Sequence, residues 1–276
     1  MKTIKYNNKT PEVITLCEML NSVGYNLIVS NSFTLQVDQA VKDFQAKHNL
    51  VIDGIVGLKS WSKLYELNSQ FTNHNNKFLS EQDLIEFANS FQLELATVKA
   101  VNEVESSGKG FLINGKPKIL FEGHIFWKEL EKRNINPNEY YNNITSDVLY
   151  KTWTKKYYLG GDGEHTRLQK ASHINTSQNF VDAAKSSASW GCFQIMGFHA
   201  IPLGYGSVEN FVQTMGLSER EHLIAFGKFI ANHPKKLDNY LRAKDWASFA
   251  YYYNGEGYKA NKYDTKLANA CAKYSN

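Results

Sequence analysis

The sequence predicts a mainly α-helical protein of two domains joined by a polar segment. In segments throughout the chain, apolar side chains recur every three or four positions, which is the spacing of amphipathic helices. One short apolar run, 119-ILF-121, reads instead as a strand. Residues 68–78 are polar and rich in asparagine, as in linkers. We therefore expect a small domain over 1–67 and a domain of ordinary size over 79–276.

Composition and charge exclude several classes of protein. With 42% hydrophobic and 21% charged residues, the chain has the make-up of a soluble globular protein. The net charge of +4 is too small to imply a polyanionic partner, and no cluster of basic residues interleaved with aromatic ones stands out, so we expect no nucleic-acid binding. The N-terminus lacks the apolar core of a secretory signal, and no run of about 18 apolar residues could span a membrane. We expect synthesis in the cytosol, no membrane insertion, and another exit route for any action outside.

The cysteines and histidines indicate neither a disulfide nor a metal site. Cys17, Cys192 and Cys271 are odd in number and far apart, which predicts buried reduced thiols. Cys192 is a poor candidate nucleophile because it lies inside an apolar motif. The eight histidines form neither an HxH nor an HExxH pattern, so we expect no metal and no cofactor.

The first domain reads as three helices. Thr10, followed by a proline, is a typical helix start. Helical spacing predicts a second helix over 35–50 and a third over 59–67. The turn between these two contains Gly54 and Gly57, where a positive φ would cost little.

The turn and the third helix also carry a family pattern. The order FQxxxxL and then DGxxGxxxWxxL resembles the small three-helix peptidoglycan-binding modules of cell-wall hydrolases, and here it consists of Phe44, Gln45, Leu50, Asp53, Gly54, Gly57, Trp61 and Leu64. The resemblance implies wall binding in the groove beside the turn, with Asp53, Gly54 and Trp61 as candidate residues. The alternative is that these residues only build a small core and a turn.

The second domain begins with two helices. Ser80, followed by acidic residues, is a typical cap for a helix over 80–91. The next helix is predicted over 93–108 and ends at Gly108, a common C-terminal stop.

Glu105 lies on the apolar face of this next helix. Projection at about 100° per residue gives one apolar stripe, formed by Leu95, Val98, Val101 and Val104. Glu105 falls near its middle, whereas Glu103 lies opposite and is expected to pair with Lys99 in solvent. Burial and the negative helix C-terminus both raise the pKa of a carboxyl, as a proton-donating acid needs at neutral pH. The alternative is a structural glutamate that caps a loop or pairs with a buried arginine.

Three motifs resemble one enzyme superfamily. The helix end from Glu105 to Gly108, 189-SWGCFQIM-196 and 249-FAYYYNGEGY-258 resemble segments of goose-type lysozymes and lytic transglycosylases. A closer resemblance, over most of 85–274, is to the N-acetylmuramidase domain of modular phage endolysins, and it is carried by EVESSGKGFL, PKILFEGHIFW, ASWGCFQIMGFH and YDTKLA. It implies a lysozyme-like α+β fold with a small β lobe, cleavage of the MurNAc–GlcNAc β-1,4 bond and Glu105 as the acid. It also implies phage-driven lysis, with release to the periplasm or wall through a holin-type lesion or another carrier.

Glycoside hydrolysis usually needs a second carboxyl group. Glu122 is the first candidate because it would stand at the end of the predicted strand, on a rigid element. Asp162 and Glu164 are the other candidates, and an enzyme with no second carboxyl, as in lytic transglycosylases, stays open. His124 either hydrogen-bonds Glu122, lines the cleft or is structural.

Further side chains are expected to line the cleft. Gln194, Tyr253 and Asn254 offer amide and hydroxyl groups to N-acetyl groups and ring hydroxyls, or else hold the helices of the lobe together. Four tryptophans either stack on sugars or fill the apolar core: Trp127, Trp153, Trp190 and Trp246.

The sequence therefore predicts a monomeric peptidoglycan hydrolase with peptidoglycan as its partner. The alternatives are a lytic transglycosylase that forms 1,6-anhydro-MurNAc, a zinc amidase or peptidase, and a non-catalytic wall-binding protein. Substitution of Glu105 separates an enzyme from a binder, and insensitivity to EDTA separates a hydrolase from a metalloenzyme.

Overall fold

The computed structural model describes residues 3–71, 77–106 and 110–275. Its α-helices are α1 (Pro11–Ser22), α2 (Leu35–Lys47), α3 (Leu58–Phe71), α4 (Glu81–Phe91), α5 (Leu95–Glu105), α6 (Gly123–Glu131), α7 (Asp162–Ser172), α8 (Gln178–Ser186), α9 (Val208–Met215), α10 (Glu219–Asn232), α11 (Leu237–Arg242), α12 (Trp246–Asn254) and α13 (Tyr263–Tyr274). Its strands are β1 (Ile119–Phe121), β2 (Ala188–Trp190) and β3 (Ile195–Met196). The predicted class, mainly α with a small β part, is confirmed.

The chain divides into two compact units that interleave along the sequence. The first consists of Met1–Asn76 and Phe111–Ala188, and the second of Lys77–Gly110 and Ser189–Asn276. The first domain predicted over 1–67 thus belongs to a unit that also holds a later part of the chain.

Helices α1, α2 and α3 surround a common apolar core. Its largest members include Met19, Phe33, Phe44 and Trp61. Two details differ from the sequence analysis. Only the first of the two turn glycines, Gly54, adopts a positive φ, at +72°. The third helix continues past the predicted end to Phe71, into the segment predicted as a linker, of which residues 72–76 lie outside the described ones.

In the later part of the first unit, a buried ion pair holds the end of β1. The predicted strand is confirmed, and α6 begins two residues after it, so Glu122 lies between a strand and a helix. The backbone N–H of Phe121 donates to Glu164, and the Arg167 guanidinium donates both to Glu164 and to the Phe121 carbonyl, at 2.8–3.1 Å. Because Glu164 and Arg167 are buried, this ion pair anchors the strand end from inside the unit.

Helix α1 also contacts α7 within the first unit. The buried carboxylate of Glu18 accepts a hydrogen bond of 2.8 Å from the backbone N–H of Asp162, the first residue of α7. The preceding residue, Gly161, offers no side-chain cap, so Glu18 supplies the acceptor that the helix N-terminus needs.

In the second unit, α5 is buried on more than one side. Ser80 and Asp83 form a reciprocal capping box at the start of α4, as predicted for Ser80. On α5, both the predicted stripe residue Val98 and the opposite Ala100 are buried, the latter against α13. The helix ends at Glu105, and the predicted stop, Gly108, lies outside the described residues.

The prediction that Glu103 pairs with Lys99 is wrong. Its carboxylate accepts hydrogen bonds from Lys273 at 2.8 Å and from Tyr274 at 2.6 Å, both on α13. Lys99 instead pairs with Glu81. The sequence projection considered one helix alone, whereas a neighbouring helix brings closer partners.

A short hairpin completes the second unit. Strands β2 and β3 are antiparallel, with Ser189 opposite Met196 and Trp190 opposite Ile195. The three cysteines are free and buried, as predicted. Among the described residues, no helix combines the length and the apolar character needed to cross a bilayer.

Candidate active site

Glu105 occupies the last position of α5, and its carboxyl is partly buried. The final residue of α12, Asn254, donates a hydrogen bond of 3.0 Å from its amide nitrogen to Glu105 Oε1. The described partner of this carboxyl is thus an amide rather than the buried arginine of the structural alternative.

The surroundings of Glu105 favour the protonated acid. Burial raises its pKa from 4.5 to about 7, while the hydrogen bond from Asn254 and the positive charge of Lys266 lower it by less. Near neutral pH, a substantial share of the molecules therefore carries a proton on Glu105. A carboxyl in this state can donate that proton to a leaving group.

Glu105 faces a cleft of about 430 Å³ in the second unit. The cleft is lined by Glu105, Phe193, Gln194, Ile195, Met196, His199, Phe229, Tyr253, Asn254 and Tyr263. Four residues expected in the site, Glu105, Gln194, Tyr253 and Asn254, are thus brought together. The volume and the mixed apolar and polar lining suit a small-molecule or sugar-sized group.

Two of these cleft residues also hold the hairpin. The amide of Gln194 accepts from the Ser189 hydroxyl and donates to the Gly191 carbonyl, both at 2.8 Å. The Tyr253 hydroxyl donates to the Phe193 carbonyl at 3.0 Å. Both readings of the sequence analysis, cleft lining and structural support, therefore apply to the same side chains, and their contact with substrate stays a prediction.

Sequence reasoning missed several lining residues. His199 packs edge-on against Phe229, with ring centroids 5.1 Å apart. Tyr263 lies at the start of α13, and Lys266, one turn further, has its ammonium 5.5 Å from the Tyr263 ring. These two residues belong to YDTKLA, a motif quoted above without any role, so the signal was present in the sequence.

Glu122 and His124 lie in the first unit. Glu122 Oε1 accepts a hydrogen bond of 2.6 Å from the Tyr158 hydroxyl. Glu122 Oε2 lies 3.3 Å from His124 Nδ1, but the two atoms are not in hydrogen-bonding geometry. Burial lowers the pKa of His124 more than the charge of Glu122 raises it, so the imidazole is neutral at pH 7. Both side chains keep a buried polar atom that an incoming ligand or water could satisfy.

The two other candidate carboxyls have structural partners. Glu164 accepts from the backbone N–H groups of Phe121, Leu159 and Gly160 and from Arg167. Asp162 forms an ion pair of 2.6 Å with Lys116. These contacts explain the burial of both carboxyls by local structure.

The predicted wall-binding residues build the turn after α2. The Gln45 amide donates to the Asp53 carboxylate at 3.0 Å and accepts from the backbone N–H groups of Asp53 and Gly54. Trp61 is 3% exposed, and its burial favours a packing role. A groove of about 310 Å³ beside the turn is lined by Gln45, Leu50, Val51, Asp53, Ile55, Gly57, Leu58, Lys59 and Ser60. Wall contact by the three named residues stays a prediction.

The other tryptophans divide between core and surface. Trp127 and Trp190 are buried, and Trp246 is partly buried against the contact of α5 with α13. Trp153 is 54% exposed. In the part of the chain that the structure describes, no three His, Cys, Asp or Glu side chains are grouped so that they could hold a metal ion.

Comparisons with known proteins find two matching protein families. The N-acetylmuramidase family profile matches residues 94–275, and the peptidoglycan-binding-domain profile matches residues 9–64. Among solved structures, the chain is similar to the Burkholderia AP3 phage endolysin, with 38% sequence identity and a TM-score of 0.66 over 100% of this chain and 98% of that one. No curated protein sequence matches the chain significantly.

Proposed function

This chain belongs to the N-acetylmuramidase family, and on that premise we propose that it cleaves the MurNAc–GlcNAc β-1,4 bond of peptidoglycan with Glu105 as the general acid. It is a glycoside hydrolase of the bacterial cell wall, of the phage endolysin type, with an N-terminal peptidoglycan-binding domain. The observation that carries the proposal is a partly buried carboxyl with a pKa of about 7 in a cleft of about 430 Å³.

We propose different tasks for the two oxygens of Glu105. The amide of Asn254 donates to Oε1, so Oε1 acts as an acceptor and the proton belongs on Oε2. In the reaction, Oε2 gives this proton to the glycosidic oxygen while the bond breaks and the adjacent sugar gains oxocarbenium character. Glu105 is then an anion, which the Asn254 amide and the nearby Lys266 charge stabilise.

Glu122 is the proposed second carboxyl. It is held by a strand end, a helix start and the Tyr158 hydroxyl, and its Oε2 lacks a hydrogen-bond partner among the described residues. Such a group can orient a water molecule or stabilise positive charge on the sugar. His124, neutral and next to Glu122, would bind substrate in the same place. Asp162 and Glu164 lose support as alternatives because each is engaged by local structure.

The remaining proposed contacts involve binding. Asn254, Gln194 and Tyr253 would contact the N-acetyl groups and hydroxyls of the sugars in the cleft. The groove beside Asp53 would attach the N-terminal domain to the wall, since Val51 and Leu58 beside it are 72% and 83% exposed. The enzyme is proposed to act as a monomer, made in the host cytosol and released to the wall.

The decisive experiment is mass spectrometry of the fragments that the enzyme releases from purified peptidoglycan. Wild type is compared with Glu105→Gln and with Glu103→Gln, a matched control two residues away that is exposed and paired with Lys273. We expect fragments with reducing-end MurNAc from wild type and from the control, and none from Glu105→Gln.

Each other outcome overturns a defined part of the proposal. Anhydro-MurNAc ends that still need Glu105 would make the enzyme a lytic transglycosylase and remove the role of Glu122. Reducing-end GlcNAc would reverse the bond preference. Freed stem peptides, or full activity of Glu105→Gln, would reject the assignment of Glu105.

A further inference from the structure

We call the segment 150–158, YKTWTKKYY, the aromatic–basic segment, and apart from Tyr158, which holds Glu122, it has no part in the proposed chemistry. It carries the positive charges of Lys151, Lys155 and Lys156 and contains no acidic residue. Its indole, Trp153, is 54% exposed. A single exposed aromatic side chain is common on protein surfaces, so what matters is how this one is held.

The Trp153 side chain lies beside Tyr158, whose hydroxyl is bonded to a partly buried carboxyl. The Tyr158 hydroxyl donates its proton to Glu122 Oε1 at 2.6 Å. The side chain of Trp153 lies close enough to this hydroxyl to lower the pKa of Tyr158, against the larger effect of burial, which raises it. Glu122 itself is fixed at the junction of β1 and α6. The indole thus exposes a flat apolar face next to residues that are fixed in the fold.

One lysine lies beside this face and another lies beside the neighbouring Tyr157 ring. The ammonium of Lys155 lies 5.7 Å from the centre of the Trp153 ring, and that of Lys156 lies 5.2 Å from the Tyr157 ring. Both lysines are exposed and able to meet an anion. The surface therefore offers two kinds of contact, a stacking plane and cations beside it.

We propose that the aromatic–basic segment is a saccharide-binding subsite in which a sugar ring of the peptidoglycan strand stacks on Trp153. A pyranose ring presents an apolar C–H face that matches an indole, while Lys155 and Lys156 match the carboxylates of lactyl and stem-peptide groups. Tyr158 and Glu122 are positioning residues for this platform. The identity of the polymer rests on the proposed function.

Single-stranded nucleic acid is the main rival ligand, because bases also stack on aromatic rings next to cations. The observations favour a glycan, since Trp153 alone presents a largely exposed ring in this segment. It lies beside Tyr158, which is hydrogen-bonded to Glu122, the candidate second carboxyl of a glycosidase. A nucleic-acid strand would need successive stacking rings along a basic groove.

The test measures binding, so it does not depend on turnover. The full chain carrying Glu105→Gln is labelled with ¹⁵N, and its five tryptophans give separate indole signals. Trp153→Phe identifies the signal of Trp153. A soluble GlcNAc tetramer is then titrated, followed by stem-bearing and stem-free glycan strands and by a single-stranded oligonucleotide.

We expect the Trp153 signal to shift with the GlcNAc tetramer. Trp153→Ala should weaken binding about tenfold, because the apolar ring face that the sugar covers is lost. Trp153→Phe should keep part of the affinity. Tyr141→Ala is the matched control, because Tyr141 is 52% exposed and lies outside the segment. Replacing Lys155 and Lys156 by alanine should weaken binding of the stem-bearing and stem-free strands, which both carry carboxylates, and should leave binding of the uncharged GlcNAc tetramer unchanged.

Three results would overturn the subsite. The Trp153 signal stays unmoved at saturating glycan, Trp153→Ala binds as tightly as its parent, or only the oligonucleotide shifts the signal. All three can occur while wild type still releases reducing-end MurNAc, so failure of the subsite is distinguishable from failure of the proposed reaction.

Discussion

Glu105→Gln should abolish activity and yet stabilise the fold at alkaline pH. Glutamine keeps the shape of glutamate and an acceptor for the Asn254 amide, but it cannot ionise. In the folded chain, burial raises the pKa of Glu105 from 4.5 to about 7. Between pH 4.5 and about pH 7 the folded chain binds more protons at this site than the unfolded chain, so the free energy of unfolding falls as pH rises.

The size of this effect follows from the pKa change. One pKa unit corresponds to about 1.4 kcal/mol, so the ionised Glu105 destabilises the fold by roughly 3 kcal/mol above pH 7 and by nothing below pH 4. Relative to wild type, Glu105→Gln should therefore gain up to roughly this amount at pH 8.5 and show no pH-dependent gain at pH 4.

Urea unfolding of both proteins at several pH values measures this difference. Glu103→Gln is the control, because Lys273 lowers the pKa of Glu103 instead of raising it. Replacing Glu103 therefore cannot increase the free energy of unfolding at alkaline pH. If Glu105→Gln and wild type differ by the same amount at every pH, Glu105 is not a destabilised carboxyl, and the reasoning that makes it the acid fails.

Three further changes test other parts of the molecule. Wild-type activity should fall as pH rises through about 7, where Glu105 loses its proton. Asn254→Ala removes a hydrogen bond that lowers the pKa of Glu105, so it should move this limb of the pH–rate profile to higher pH. An unmoved limb would contradict the role of Asn254. Gly54→Ala puts a Cβ in steric conflict with the Asp38 carboxylate of α2 at a φ of +72°, so it should cost more than about 1 kcal/mol in urea unfolding and weaken sedimentation with peptidoglycan. Gly57→Ala has open space and should change neither. Glu18→Ala removes the acceptor of the first N–H of α7 and should cost about 1–3 kcal/mol in unfolding, and a loss below about 0.5 kcal/mol would refute that contact.

The sequence predicted secondary-structure elements better than it predicted side-chain pairs. Helical spacing found α5 and the inward direction of Glu105, because a periodic pattern along one helix depends only on local geometry. The same projection gave Glu103 the wrong partner, since Lys273 is 170 residues away in the chain and packs there through α13. Side-chain pairing across distant helices leaves no mark on local spacing.

The cleft was only partly predictable for a related reason. Asn254 and Tyr253 were named from a motif, and both line the cleft with Glu105. Tyr263 and Lys266 were quoted in a motif but received no role, because spacing alone does not reveal which helix start faces a cleft. Trp153 was named among four tryptophans, and exposure, which only the folded chain reveals, separates it from the others.

Catalysis and stability act against each other at Glu105. A buried carboxyl donates its proton readily near neutral pH because its ionised form is poorly solvated, and the same poor solvation destabilises the fold once the proton has left. A second hydrogen-bond donor would remove that cost, but it would also lower the pKa and leave no proton to donate at neutral pH. Ala96 and Ala100 pack α5, the helix that ends at Glu105, against α13. One amide hydrogen bond from Asn254 orients the group while its pKa stays at about 7, which is the compromise that a general acid requires.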